Sequence, residues 1–77
     1  MMDNNIDRES FRNRLLEILG SHPEGLTIED LSKITDAHRQ TVTKYLFWLE
    51  GSEKIHMRKI GAITLCYLKK DWERLRK

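Results

Sequence analysis

The chain has 77 residues, of which 39% are hydrophobic and 34% are charged, and its formal net charge is +2. This length predicts a single domain over residues 1–77. The composition is too apolar for a disordered chain and too charged for a membrane protein. Because no stretch approaches the roughly 18 apolar residues of a membrane span, we expect no membrane segment.

The N-terminus and the cysteine content indicate a cytoplasmic protein. Residues 1–10 are polar and acidic, whereas a secretory signal has a basic start followed by an apolar stretch. Cys66 is the single cysteine, so the chain cannot form an internal disulfide. A reducing compartment suits such a chain.

The charges are unevenly distributed along the sequence. Residues 1–32 carry seven acidic and three basic side chains, whereas residues 33–77 carry eleven basic and five acidic ones. A basic half favours an acidic partner such as nucleic acid. The alternative is a solvated surface whose imbalance arose by chance.

The first half of the chain has the apolar spacing of two helices. One is predicted from about Asp7 to Leu19, ended by Gly20, because its apolar residues follow the i, i+4, i+7, i+8 rule. These residues are Phe11, Leu15, Ile18 and Leu19. After the turn-forming stretch "SHPEGLT", a two-turn helix opens at Thr27, with Asp30 as the partner in an approximate capping box. Its predicted buried residues are Ile28, Leu31 and Ile34.

A third helix is predicted from about His38 to Glu50, with Gly51 at its end. At about 100° per residue its apolar side chains fall into one arc, formed by Val42, Tyr45, Leu46 and Leu49. Phe47 and Trp48 are adjacent and both lie outside this arc.

After Gly51 the apolar spacing changes to the period of two that is typical of β-strands. The stretches "KIHMRK" and "AITLCYLK" both alternate in this way, and Gly61 lies between them. This pattern predicts a β-hairpin with Arg58 and Lys59 near its tip. Residues 69–77 are predicted to form a tail or a short helix, with Trp72 and Leu75 on one side.

The connection between the second and third helices is so short that the two must pack at a steep angle. Ser32 supplies the small residue that such packing needs. Asp36 supplies a turn residue that tolerates the left-handed conformation. Ala37, Val42 and Tyr45 follow at the spacing of a helix-turn-helix motif.

The stretch "LTIEDLSKITDAHRQTVTKYLFWLEGSEKI" resembles the helix-turn-helix core of winged-helix transcription regulators, in particular small bacterial and archaeal repressor-like proteins. "TVTKYLFWLE" is similar to the third helix of that family and "IHMRKIGAITLCYL" to its wing. The resemblance implies a mainly α fold with a β-hairpin, the winged helix-turn-helix, in which a three-helix core precedes the wing. It covers about residues 8–68. Two positions depart from the family pattern: Asp36 replaces the usual turn glycine, and His38, a poor N-cap, replaces serine or threonine.

In this family the start of the third helix enters the major groove of DNA. The resemblance assigns that role to Arg39, Gln40, Thr41, Thr43 and Lys44. Arginine pairs with guanine and glutamine with adenine, while threonine contacts a thymine methyl group or a phosphate. Arg58 and Lys59 are expected at the minor groove or the backbone, and Lys54 at a phosphate. The alternatives are a solvated helix face and a hairpin whose cations prevent edge-to-edge aggregation.

A dimer or partner contact is predicted at Phe47, Trp48, Trp72 and Leu75, because exposed aromatic side chains often mark contact surfaces. A homodimer is expected, since a two-fold symmetric operator takes two recognition helices about 34 Å apart. The alternative is that Phe47 and Trp48 cover the chain's own hairpin.

No pattern of catalytic or cofactor chemistry is present. The four glycines are isolated, so there is no phosphate-binding loop. Metal-ligand spacing is lacking among His22, His38, His56 and Cys66, and Cys66 is expected to be a packed thiol. We therefore expect no metal, no cofactor and no enzymatic activity.

These patterns predict a sequence-specific double-stranded DNA-binding protein that regulates transcription. The alternative is a winged helix that serves as a protein-interaction module within a larger complex, which the aromatic residues and the small net charge favour. RNA binding is a weaker third possibility, because the sequence shows no aromatic platform on a sheet.

Overall fold

The computed structural model describes residues 8–75, which form four helices and one three-stranded antiparallel sheet. The helices are α1 (Arg8–Gly20), α2 (Ile28–Thr35), α3 (Arg39–Gly51) and α4 (Lys69–Leu75), and the strands are β1 (Leu26–Thr27), β2 (Ile55–Ile60) and β3 (Ile63–Leu68). The prediction of a small, mainly helical chain with a β-hairpin is confirmed. The predicted helix start at Asp7 and the end of the tail at residues 76–77 lie outside the described residues.

α1 contributes the face that its spacing predicted. Leu15 and Leu19 are fully buried, and Phe11 and Ile18 pack against the core at its edge. Phe11 also contacts α3, where its ring lies 5.2 Å from the ring of Tyr45. α1 is therefore held against α3 by apolar packing.

α2 begins with the predicted capping box. The Thr27 hydroxyl accepts the N–H of Asp30 at 3.0 Å, and the Asp30 carboxylate accepts the N–H of Thr27 at 3.2 Å. The predicted burial of Ile34 is wrong, because this side chain is 44% exposed. Thr35 takes the buried position instead, and its hydroxyl donates to the carbonyl of Leu31 at 2.7 Å, which satisfies it inside the core.

The turn between α2 and α3 has the geometry that the sequence predicted. Asp36 adopts the left-handed conformation, with φ 56° and ψ 36°. The Ser32 hydroxyl donates to the carbonyl of Ala37 at 2.6 Å across the turn. His38 occupies the N-cap position of α3 but, within residues 8–75, makes no side-chain capping hydrogen bond. Asp36 is the C-cap of α2.

The residue with left-handed backbone geometry at the end of α3 is not a glycine. Gly51 is the last helical residue, but the left-handed residue after the helix is Glu53, with φ 61°. The N–H of Lys54 donates to the carbonyl of Leu49 at 3.0 Å, which satisfies a carbonyl at the end of the helix.

The strand order in the sheet is β1-β3-β2. β1 was not predicted: Leu26 and Thr27 pair with Cys66 and Leu65, although this stretch has the composition of a turn. Two residues are too few to show an alternating pattern, so only the partner strand makes this segment a strand. β1 attaches the start of α2 to the hairpin.

β2 and β3 pair over six positions, from Ile55 opposite Leu68 to Ile60 opposite Ile63. Opposed residues project to the same face of a sheet. We call the inner face the one that packs on the helices; it carries Ile55, Met57, Cys66 and Leu68. The outer face carries His56, Arg58, Leu65 and Tyr67.

α4 packs on the outer face of the hairpin. Trp72 stacks on His56 with ring centroids 4.2 Å apart, and its ring lies 5.5 Å from that of Tyr67. This contact leaves Tyr67 only 4% exposed. None of the helices within residues 8–75 is long and apolar enough to cross a bilayer.

Candidate nucleic-acid interface

The polar face of α3 comprises the five residues predicted to contact DNA: Arg39, Gln40, Thr41, Thr43 and Lys44. All of them are exposed except Thr43, which is half-buried. The opposite side of the helix fixes this orientation, because Val42, Leu46 and Leu49 are at most 1% exposed. Burying these three side chains turns the polar face outward.

Thr43 differs from its neighbours in hydrogen bonding. Its hydroxyl donates to the carbonyl of Arg39 at 2.8 Å, one helical turn earlier. A hydroxyl has one proton to donate, so a phosphate could take it only if this bond broke. The methyl group of Thr43 is therefore the part suited to a contact, and its natural partner in DNA is the thymine methyl group.

The hairpin runs alongside α3. α3 has 13 residues and β2 has six, so at about 1.5 Å and 3.3 Å per residue both are about 20 Å long. The chain reverses between them, which brings the turn at Gly61 back to the start of α3. A cleft of about 180 Å³ lies where they meet, lined by Thr27, Ile28, Glu29, Arg39, Ala62, Ile63 and Thr64.

The two hairpin cations lie on different faces. Lys59 pairs with Thr64 on the inner side, where both line a second cleft of about 270 Å³ with Phe47 and Glu50 of α3. Arg58 is on the outer face, with its guanidinium 5.8 Å from the Trp72 ring centroid. Lys54 is exposed at the base of the hairpin, and its carbonyl accepts the N–H of Lys69 at 3.1 Å. Lys59 is thus the hairpin cation that faces α3.

Two acidic side chains border this surface. Glu29 lines the cleft beside Arg39, and its carboxylate lies 4.0 Å from the ammonium of Lys33. Glu50 accepts the N–H of Met57 at 3.3 Å, which ties the second half of α3 to β2. The sequence between Arg39 and Leu49 contains no acidic residue, so the polar face of α3 itself is neutral or basic.

Cys66 lies beneath this surface on the inner face of the sheet. Burial raises the pKa of the Cys66 thiol to about 12, and the nearby Glu50 charge acts in the same direction. The side chain is fully buried, so the prediction of a packed thiol is confirmed. At neutral pH it remains protonated and unreactive.

The four residues predicted as partner contacts occupy separate places. Phe47 is 60% exposed beside the cleft that Lys59 lines. Trp48 is 49% exposed, with the Arg12 guanidinium 3.9 Å from its ring centroid. Trp72 lies on the outer face of the hairpin against His56, and Leu75 is 57% exposed at the end of α4.

Two features of this region were missed from the sequence. One is the contact between Arg12 and Trp48, which joins α1 to α3 and depends on tertiary packing alone. The other is the aromatic stack formed by His56, Tyr67 and Trp72, which depends on the register between β2 and β3 and on the packing of α4. Among the described residues, no group of three or more His, Cys, Asp or Glu side chains is placed to hold a metal ion.

Comparison of the chain with protein-family models, with curated proteins and with solved structures found no match. A function for this chain must therefore be inferred from the geometry of the polar face of α3 and of the hairpin.

Proposed function

We propose that this protein is a winged helix-turn-helix regulator of transcription that binds double-stranded DNA. In this proposal the polar face of α3 enters the major groove, and the hairpin contacts the backbone or the adjacent minor groove. The observation that carries the proposal is the exposure of Arg39, Gln40 and Lys44 on a stretch of α3 without acidic residues, beside a hairpin that carries a cation, Lys59, on the side facing α3.

The contacts that fix the orientation of α3 support this proposal. The left-handed Asp36 and the hydrogen bond from Ser32 to Ala37 fix the angle between α2 and α3. Burial of Val42, Leu46 and Leu49 fixes the rotation of α3 about its axis. A recognition helix must hold its polar side chains in one orientation to read base edges, and these contacts supply that rigidity.

The chemistry of the exposed side chains fits DNA. Arg39 can pair in bidentate fashion with guanine, and Gln40 can pair likewise with adenine. Lys44 and Lys59 are suited to phosphate contacts, which supply affinity but carry no sequence information. The uncapped start of α3 adds backbone N–H groups and the positive end of the helix dipole, both of which favour a phosphate.

The test is selection of bound duplexes from a random library by the full chain, followed by affinity measurements over a range of salt concentrations. We expect Arg39→Ala to cost about 1–3 kcal/mol and to relax the preference at one position. Lys59→Ala should weaken binding to all sequences alike and reduce the salt slope by about one unit. Lys70→Ala removes the same charge from α4 and serves as the control, with little expected effect. Equal effects of Lys59→Ala and Lys70→Ala would contradict a hairpin contact.

A protein-interaction module is the second candidate, and the exposure of Phe47 and Trp48 favours it. These rings lie on the second half of α3, where they are accessible to a second copy of the chain or to another protein. Sedimentation of the free protein distinguishes a homodimer from a monomer. Failure to bind any duplex at low salt, together with formation of a stable complex with another protein, would favour the module over the regulator.

A further inference from the structure

The turn of the hairpin is apolar and exposed. Ile60 and Ile63 pair across the two strands next to Gly61 and Ala62, and they are 42% and 48% exposed. A Cβ atom built on Gly61 would have nothing within 4 Å in the described part of the chain, so the turn projects into open space. Packing within the chain covers only part of these two side chains.

The basic side chains next to the turn favour a negatively charged partner. Arg58 and Lys59 lie on β2 within the two residues before Ile60. The cleft beside Ala62 and Ile63 is lined by one charged side chain of each sign, Arg39 and Glu29. An apolar tip next to the two cations of β2 complements a surface with an apolar interior between two rows of negative charge. The minor groove of a DNA duplex is such a surface, since stacked bases and sugars lie between two phosphate backbones.

The hairpin tip is broader than the minor groove of undeformed B-DNA. Neighbouring strands lie about 4.8 Å apart, and the side chains at a two-stranded tip make it broader still, whereas the minor groove of B-DNA is about 6 Å wide. Apolar side chains that enter this groove partly unstack a base step and bend the duplex toward the major groove. A tip of two isoleucines has the chemistry of such a wedge.

We propose that the tip formed by Ile60 and Ile63 inserts into the minor groove beside the major groove that α3 occupies, and that it bends the duplex. This inference rests on the proposed function, because α3 positions the hairpin against DNA. It adds a mechanical effect that contact of Lys59 with phosphate does not require. The glutamate in the cleft, Glu29, belongs to α2 rather than to the tip.

The test measures the end-to-end distance of a duplex of about 30 base pairs, carrying a sequence recovered by the selection above and labelled with a fluorophore at each end. We expect the full chain to bend this duplex by about 20–90°. The Ile60→Thr/Ile63→Thr variant keeps β-branched side chains, which preserve strand propensity, and should bind with the bend largely lost. Circular dichroism and an unchanged urea midpoint confirm that the variant is folded.

Ile34→Thr is the matched control, since Ile34 is also an exposed isoleucine, at 44%, but lies on α2. It should leave the bend unchanged. A straight complex with the wild-type chain, or an equal bend with the double variant, overturns the inference and leaves DNA binding intact. Failure of the wild-type chain to bind any duplex overturns both proposals. If the double variant instead abolishes a homodimer seen by sedimentation without DNA, the tip is a contact between copies and the inference is wrong.

Discussion

Gly25 is the position where the fold depends most directly on the absence of a side chain. It precedes β1 with φ 94°, a conformation that L residues rarely adopt. A Cβ atom at this position would lie 2.6 Å from Cε2 of Tyr67 and 3.0 Å from two further atoms of the same ring. The ring cannot easily move away, because Tyr67 is only 4% exposed and Trp72 packs against it. We therefore expect Gly25→Ala to destabilise the protein strongly.

The destabilisation by Gly25→Ala is the sum of two unfavourable contributions and one that partly offsets them. A left-handed backbone costs an L residue about 1–2 kcal/mol, and an extra carbon in a filled site costs about 1–3 kcal/mol. The smaller entropy of the unfolded alanine chain offsets about 0.4–1 kcal/mol. The expected net loss is about 1–5 kcal/mol. A 77-residue chain has a free energy of unfolding of about 4–12 kcal/mol, so this is a large share of the total.

Urea unfolding followed by far-ultraviolet circular dichroism measures this loss. With a slope near 1 kcal/mol per molar, typical of a small protein, the midpoint should fall by about 1 M or more. Gly51→Ala is the matched control: Gly51 has an ordinary helical φ, and a Cβ atom there would meet nothing within 4 Å among residues 8–75. Its stability should change by less than about 1 kcal/mol.

A double-mutant cycle separates the two costs. In a Tyr67→Leu background the ring is absent, so Gly25→Ala should cost only the backbone strain of about 1–2 kcal/mol, less the unfolded-chain offset of about 0.4–1 kcal/mol. An unchanged midpoint for Gly25→Ala, or the same cost with and without the Tyr67 ring, would contradict a clash between the added Cβ atom and that ring.

Three further predictions concern local structure. Thr27→Ala removes half of the capping box and should cost about 1 kcal/mol in urea unfolding; no loss would mean that the box does not stabilise α2. Glu53→Gly relieves a left-handed backbone after α3 and should raise the free energy of unfolding by up to about 1 kcal/mol, whereas a loss would show that the Glu53 side chain stabilises the fold. With its pKa raised to about 12, the Cys66 thiol should resist a thiol reagent at pH 8 until urea unfolds the chain; rapid labelling of the folded protein would contradict its burial. The unfolded thiol ionises near pH 9, so stability should fall as the pH rises from about 9 to about 12.

Much of the fold was predictable because local patterns determine it. The buried arc of α3 follows from helical spacing alone, and the capping box at Thr27 involves residues only three apart. The left-handed turn at Asp36 was predictable for the same reason, since few residues tolerate that conformation. The alternation of β2 and β3 around Gly61 likewise needs no information from the rest of the chain.

The sequence-based predictions missed or misjudged features that depend on contacts between residues distant in the sequence. β1 exists only because β3 offers Leu26 and Thr27 a partner. Ile34 is exposed and Thr35 buried because α2 meets the core along a narrow stripe, and a buried hydrogen bond makes the threonine acceptable there. The position of Glu53, rather than Gly51, in the left-handed conformation depends on how the chain enters β2.

The candidate interface was predictable in its residues but not in its arrangement. Helical spacing alone placed Gln40 and Lys44 on the outward side of α3. From the sequence, Arg58 and Lys59 were predicted to form one basic tip, although neighbouring residues of a strand project to opposite faces of the sheet. In the structure Arg58 lies near Trp72 and Lys59 near Phe47. The turn is apolar in the sequence itself, but the exposure of Ile60 and Ile63 becomes apparent only from the structure.

The most direct test of DNA recognition by α3 is fluorescence anisotropy with the selected duplex and the triple variant Arg39→Ala/Gln40→Ala/Lys44→Ala. Two bidentate base contacts at about 1–3 kcal/mol each predict a loss of affinity of at least about 30-fold, and loss of the lysine predicts a smaller salt slope. Circular dichroism must show that the variant is folded. A folded variant that binds the selected duplex as tightly as the wild-type chain would contradict the account.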